Sequence, residues 1–322
     1  MRTLRLVGTG RIIAEDAAVP GLAEGEVLVR TSFASVCGSD LHNIFHSEHA
    51  HPEPPGYPGH ESVGEVVESR SARFAPGDTV LAVPDITCFA SFADYQAVPE
   101  RFLLKIPATD PAMLVMAQQM GTVEFALKRF LRFEQQNDAA LVIGAGSAGL
   151  HFVALLRLRG FRTVICSDVD ETRLAVAAKM GATHVVNAAE ARASDVALEL
   201  TGGTGVSLVA EAAGLESTRA DAVRAVADSG DLGFFGLPEG HGLTGFPFAE
   251  YFRKRATIHT TSLAQREAGL TSFATAVERI RTGEVDVTPM IGTPYPAERI
   301  VEAVHAAEDH AADSPKVVVD FR

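Results

Sequence analysis

The chain has 322 residues, of which 47% are hydrophobic and 21% charged, with a formal net charge of -13. That length exceeds what one hydrophobic core usually serves, so two domains are expected. The acidic balance argues against nucleic acid or an anionic membrane as partner, because both attract basic surface.

Met1-Arg2-Thr3-Leu4-Arg5 leads into Val7 and Gly8 without the apolar block of a signal peptide. The three cysteines, Cys37, Cys88 and Cys166, are odd in number and widely spaced. They form no disulfide framework, and a reducing, cytoplasmic setting is expected. Residues 26–35 alternate as a half-buried strand does, and Val63 to Val67 and Thr79 to Val83 are further β-branched runs. The last of these follows the turn Ala75-Pro76-Gly77-Asp78, and the pattern predicts an antiparallel β-rich unit over the first third.

Two motifs stand among these strands, Cys37-Gly38-Ser39-Asp40-Leu41-His42 and Gly59-His60-Glu61. Cys37, His60 and Glu61 offer a thiolate, an imidazole and a carboxylate, the donor types that zinc accepts in a catalytic site. Ser39 and His42 would bring an exchangeable hydroxyl proton and a titratable imidazole close to anything the metal binds, which suits alcohol chemistry. Asp40 is expected to accept the second ring N–H of His60 and fix its tautomer; a turn or capping role is the competing reading. A lone cysteine or histidine is more often a core residue, and the two motifs together outweigh that alternative. His46, His49 and His51 fall in a proline-rich loop without i, i+4 spacing and read as exposed loop residues.

Residues 111–130 predict a helix, with Met113, Met116, Met120, Val123 and Leu127 on its buried face. From Ala139 strand and helix signals alternate, which predicts a doubly wound parallel sheet. The stretch from Ala139 to Leu156 is long and uncharged, but its glycines make it a strand, a turn and a helix rather than a membrane span. Gly144-Ala145-Gly146-Ser147-Ala148-Gly149 lies between that strand and that helix. Such glycines permit a tight turn, close approach of backbone to a pyrophosphate, and close helix–strand packing, with the helix N-terminus favouring phosphate charge. Asp168 ends the next strand, where an acid bonds the adenosine ribose; its charge repels a 2′-phosphate and favours NAD over NADP, and an N-cap or turn role is the alternative. Arg173 is placed to pack on the adenosine or meet a phosphate. The remaining segment predicts a helix over 267–282, a second over 297–308 and a closing strand over 316–321.

Cys-Gly-Ser-Asp-x-His followed by Gly-His-Glu and the glycine-rich turn resembles the zinc-dependent medium-chain alcohol and polyol dehydrogenases over nearly the whole chain. The resemblance implies a doubly wound Rossmann sheet inserted into a β-rich GroES-like catalytic domain, the latter covering residues 1–118 and 262–322 and the former 119–261. It implies one catalytic zinc held by Cys37, His60 and Glu61, with Gln118 at the family's variable ligand position. It implies no structural zinc, because the four-cysteine lobe is missing and Cys88 stands alone. Thr122, Phe235 and Leu237 match positions that touch the nicotinamide. The implied reaction is reversible, NAD-dependent oxidation of a secondary, polyol or sugar-like alcohol, with Ser39 and His42 relaying the proton. A homodimer or homotetramer is implied as well. A zinc-free reductase of the same superfamily and a non-catalytic nucleotide-binding protein are the competing readings.

Overall fold

The structure, a computed structural model, describes residues 1–47, 51–131, 138–238 and 245–322. The sequence readings of His49 and of the middle of the 234–247 segment lie outside these residues. The chain forms two compact units, one from Met1–Thr122 with Gln265–Arg322 and the other from Val123–Ala264.

The first unit opens with an antiparallel hairpin of β1 (Arg2–Gly8) and β2 (Arg11–Asp16). Its main sheet is built around β3 (Glu26–Ser35), which pairs antiparallel with β4 (Ser62–Ser69) and β6 (Tyr95–Pro99). β5 (Thr79–Ala82) and β7 (Leu103–Lys105) extend the sheet beyond β4. Val27, Val29 and Phe33 of β3 are buried, each contributing roughly 1.5–3 kcal/mol of apolar burial, which is what the alternating pattern of residues 26–35 encodes. Helix α1 (Gly38–Leu41) follows β3 directly and gives way to one π-helical turn, His42–His46.

The expected helix over 111–130 is divided into α2 (Pro111–Leu114) and α3 (Met116–Phe130). Pro111 occupies the first turn, and the Gln118 N–H bonds Val115 O, three residues back, which tightens the backbone where the two helices meet. Met116, Met120, Val123 and Leu127 are all buried, whereas Met113, in α2, is only half-buried, so the stripe is core from Met116 onward.

The second unit is a six-stranded, wholly parallel sheet of β8 (Ala139–Ile143), β9 (Thr163–Asp168), β10 (His184–Asn187), β11 (Val206–Glu211), β12 (Val226–Phe234) and β13 (Thr257–Thr260). The strand order is β10-β9-β8-β11-β12-β13, the doubly wound Rossmann order, in which the direction of winding reverses between β8 and β11. Helix α4 (Ser147–Leu158) follows β8, and α5 (Glu171–Lys179) follows β9. β12 stops at Phe234, where the N–H groups of Phe235 and Gly236 both bond Glu211 O.

The tail returns to the first unit. Its 267–282 helix begins as a 3-10 turn, since Gly269 and Leu270 adopt positive φ, and becomes regular only from Thr271 to Arg281. The last strand, β14 (Tyr295–Pro296) having paired with it, is β15 (Val318–Asp320), which runs antiparallel to β3 with Val318 opposite Ser35.

At the glycine-rich turn each glycine has a separate reason. Gly144 has φ +96°, and a Cβ on Gly149 would lie 1.8 Å from Gly144 O, whereas a Cβ on Gly146 would meet nothing within 4 Å. Gly149→Ala is therefore expected to destabilise the second unit by about 1–3 kcal/mol, read as a lower urea midpoint, with Gly146→Ala nearly neutral for folding.

Candidate functional site

Two adjacent strand ends create the first cluster. Ser35 at the end of β3 gives its N–H to Glu61 O (3.0 Å), which extends the β3–β4 ladder by one rung and sets Cys37 beside His60 and Glu61. The ligand atoms of Cys37, His60 and Glu61 all lie within 4.8 Å of one another. Gly59 cannot carry a side chain here, because its Cβ would come within 2.7 Å of the fully buried Phe92.

Asp40 serves two partners at once. Its Oδ2 accepts the Cys37 N–H at 2.9 Å, capping α1, while its Oδ1 lies 2.8 Å from His60 Nδ1. The Pro58 carbonyl oxygen is 3.2 Å from the same ring nitrogen. Two acceptors at Nδ1 hold a proton on that nitrogen, so Nε2 is the one that can give up its proton to a metal. Ser39 Oγ sits 3.3 Å from Nε2, and Phe89 stacks on the imidazole at 4.7 Å between centroids. Asp40 thus caps α1 and faces His60 Nδ1.

Glu61 is held by residues that sequence reasoning did not single out. Its Oε2 accepts from Ser35 Oγ at 2.5 Å and lies 2.6 Å from Lys316 Nζ; Glu61 and Lys316 are each 1% exposed. Burial opposes ionisation of Glu61, but Lys316, His60 and Ser35 outweigh it and hold the carboxyl below its usual range. Burial likewise opposes the ammonium of Lys316, and Glu61 raises it above its usual value, so the pair is ionised. Lys316 Nζ also lies 3.4 Å from Gln119 Oε1, and Gln119 Nε2 donates to Cys37 Sγ at 3.5 Å.

Gln118 is buried on the same helix, and among the described residues no hydrogen bond ties its amide to Cys37, His60 or Glu61. His42 lies in the π-helical turn, 6.2 Å from the ring of His46, with no hydrogen bond to Ser39 among the described residues.

The cluster fits a divalent cation. Glu61 Oε1 is buried without a hydrogen-bond partner among the described residues, an expensive state for a carboxylate oxygen unless a cation meets it. With Cys37 as the thiolate and His60 as the neutral imidazole that metal binding requires, Cys37, Glu61 and, where ionised against its burial, Asp40 outnumber the single positive charge on Lys316.

The second cluster surrounds the glycine-rich turn. Gly144 N–H bonds Ser167 O at 2.8 Å, and Asp168 Oδ2 accepts the Ala145 N–H at 2.6 Å. Asp168 Oδ1 accepts from Asp170 N at 3.0 Å, and Arg173 Nε lies 3.7 Å from Asp170 Oδ2. Asp168 thus braces the turn, while Gly146 caps α4 and Ser147 and Ala148 form its first turn. Phe235 packs edge-on to Phe152 at 5.2 Å, and Leu237 is 51% exposed. In the first unit, Thr122 Oγ1 donates to Gln118 O at 3.3 Å.

Burial disfavours charge on His60, yet Asp40 and Cys37 outweigh it and hold the imidazole well above its usual 6.5 in metal-free protein. A raised folded-state pKa contributes stability that is complete below about pH 6.5 and fades as pH rises through the raised value. Urea unfolding of chelator-treated protein is expected to show that decline, and Asp40→Asn to flatten it. Lys316→Met strands Glu61 as an unpaired buried charge and is expected to cost about 3–5 kcal/mol in the same assay.

Residues 23–108 match the family profile "Alcohol dehydrogenase GroES-like domain", and residues 148–281 match "Zinc-binding dehydrogenase". Sorbitol dehydrogenase of Bacillus subtilis is 25% identical, with 99% of this chain and 97% of that protein covered. L-threonine 3-dehydrogenase of Aeromonas salmonicida is 31% identical over 69% of this chain and 73% of its own length. Among solved structures, alcohol dehydrogenase TADH from Thermus sp. ATN1 superposes with a TM-score of 0.88 at 22% identity, covering 100% of both chains. Galactitol-1-phosphate dehydrogenase from Escherichia coli does so with a TM-score of 0.82 at 23% identity, again over 100% of both chains. With the sheet order, the glycine-rich turn and the Cys37–His60–Glu61 cluster, these matches make the chain an oxidoreductase of the zinc-dependent medium-chain alcohol dehydrogenase family.

Proposed function

We propose that the protein is a zinc- and NAD-dependent dehydrogenase that oxidises a secondary, polyol or sugar-like alcohol to a ketone, reversibly. The observation that carries this reading is Ser39 Oγ, 3.3 Å from His60 Nε2, beside three clustered donors, His60 and Glu61 buried and Cys37 half-buried, whose negative surplus calls for a divalent ion. The substrate class rests on relatives named as sorbitol and galactitol-1-phosphate dehydrogenases.

Cys37, His60 and Glu61 would hold the metal, and the glycine-rich turn with the N-terminus of α4 would hold the dinucleotide pyrophosphate. When bound, zinc polarises the alcohol oxygen, and the nicotinamide accepts the hydride from carbon. Asp40 keeps the His60 proton on Nδ1 and so turns the Nε2 lone pair to the metal. Ser39 would accept the hydroxyl proton; His42, which makes no direct hydrogen bond to Ser39 among the described residues, is assigned the later step towards solvent. The substrate loses one proton from oxygen and one hydride from carbon, which leaves the carbonyl.

Asp168 favours NAD, since its carboxylate at the end of β9 repels a 2′-phosphate, and Arg173 flanks it on α5. Thr122, Phe235 and Leu237 are assigned to the nicotinamide side. The edge strand β13 and the exposed Phe248 and Phe252 (64% and 71%) suit pairing of copies into a dimer or tetramer.

Elemental mass spectrometry on protein purified without chelator is expected to give about one zinc per chain. Cys37→Ala should lose that zinc and turnover while NADH fluorescence titration stays normal; full turnover without metal would defeat the proposal. Ser39→Ala should lower kcat by about 10²–10⁴-fold with metal retained. Asp168→Ala should raise the KM for NAD and narrow the preference over NADP, and an unchanged ratio would remove Asp168 from the cofactor site.

A further inference from the structure

Helix α3 delivers two adjacent glutamines to the first unit's core, and the one whose amide is bonded to the cluster is Gln119. Its side chain is 7% exposed and tied at both ends. Nε2 donates to Cys37 Sγ at 3.5 Å, and Oε1 accepts from Lys316 Nζ at 3.4 Å. The orientation is fixed by chemistry, because a flipped amide would set its oxygen against a thiolate and its NH₂ against an ammonium. Lys316 in turn lies 2.6 Å from Glu61 Oε2, so one buried ammonium orients groups attached to two of the three metal donors.

We propose that Gln119 is a positioning residue: clamped by Lys316, its amide donates to the Cys37 thiolate and sets how strongly that sulfur binds the metal. The inference rests on the zinc reading above. An N–H directed at a thiolate draws electron density from sulfur, lowers its lone pairs in energy and reduces the charge it passes to the cation. The cation then keeps more of its own charge for the alcohol oxygen. A site with one sulfur donor is sensitive to this adjustment. The same bond fixes the direction of Sγ, whose own side chain has a single rotatable bond between backbone and sulfur.

The test replaces zinc with cobalt(II) and reads the sulfur-to-cobalt charge-transfer absorption in the near ultraviolet, with cobalt affinity measured by competition against a chelating dye. Gln119→Met keeps the length and removes the donor. Gln119→Glu keeps the shape and an acceptor for Lys316 but also lacks the donor, so it preserves the test where the methionine variant fails to fold. The band is expected to move to longer wavelength in each variant that folds, and cobalt affinity to rise in Gln119→Met, because sulfur without the donor passes more charge to the cation. A band at the wild-type position in folded Gln119→Met, or in folded Gln119→Glu above the pH at which its carboxyl ionises, would overturn the inference, because neither then donates to sulfur. Wild-type protein that binds cobalt without any sulfur band would instead overturn the Cys37 ligand assignment, and with it the metal reading; Cys37→Ala supplies the reference spectrum for that case.

Discussion

The ion pair between Glu61 and Lys316 is the constraint on which the first unit's chemistry depends. Two charges that are each 1% exposed are tolerated only where geometry is good and remaining lone pairs and protons are satisfied. Ser35 takes part of the Glu61 oxygen shared with Lys316, and Gln119 takes part of the ammonium. What is left over is a single carboxylate oxygen, Oε1, with no hydrogen-bond partner among the described residues. The pair therefore fixes which oxygen of Glu61 is available to a cation. It also sets the charge balance of the cluster, because Lys316 cancels one of the negative groups and leaves a surplus that a divalent ion neutralises.

The same economy of parts runs through the neighbouring groups. Asp40 caps a helix of four residues and faces His60 Nδ1, so one side chain shapes the local turn and would fix the tautomer of the proposed ligand. At the nucleotide turn Asp168 braces Ala145 N–H, so the acid assigned to the ribose also shapes the turn assigned to the pyrophosphate. In both places the chain folds locally into the geometry that the chemistry uses.

Residues with a short-range signature were legible in the sequence. Cys37, His60, Glu61 and the glycines at 144, 146 and 149 sit in compact motifs whose spacing reports a turn or a ladder end, and the structure brings the first three together as expected. The parallel sheet was legible because β-branched runs alternate with helical ones. Lys316 and Gln119 were not. Each lies far from Cys37 in sequence and carries no pattern of its own: a lysine ahead of a valine run reads as a solvated strand end, and a glutamine in a methionine-rich helix as a surface position. Only the antiparallel pairing of β15 with β3, Val318 opposite Ser35, brings that lysine to the site. The helix boundaries at 111–116 and 267–271 also escaped, because the first turns on one i, i−3 hydrogen bond, Gln118 N–H to Val115 O, and the second on the positive φ of Gly269 and Leu270, rather than on side-chain periodicity.

The return of the tail to the first sheet has a consequence during synthesis. Glu61 and its counter-ion are separated by 316 − 61 = 255 residues, among them the whole of the Rossmann unit. At a translation rate of about 5–20 residues per second, the nascent chain carries Glu61 for some tens of seconds before Lys316 leaves the ribosome. Through that interval β3 lacks β15 along one edge and the carboxylate has no ammonium to face. The Rossmann unit, contiguous in sequence, is complete first; the half of the molecule that is begun first is the half that closes last.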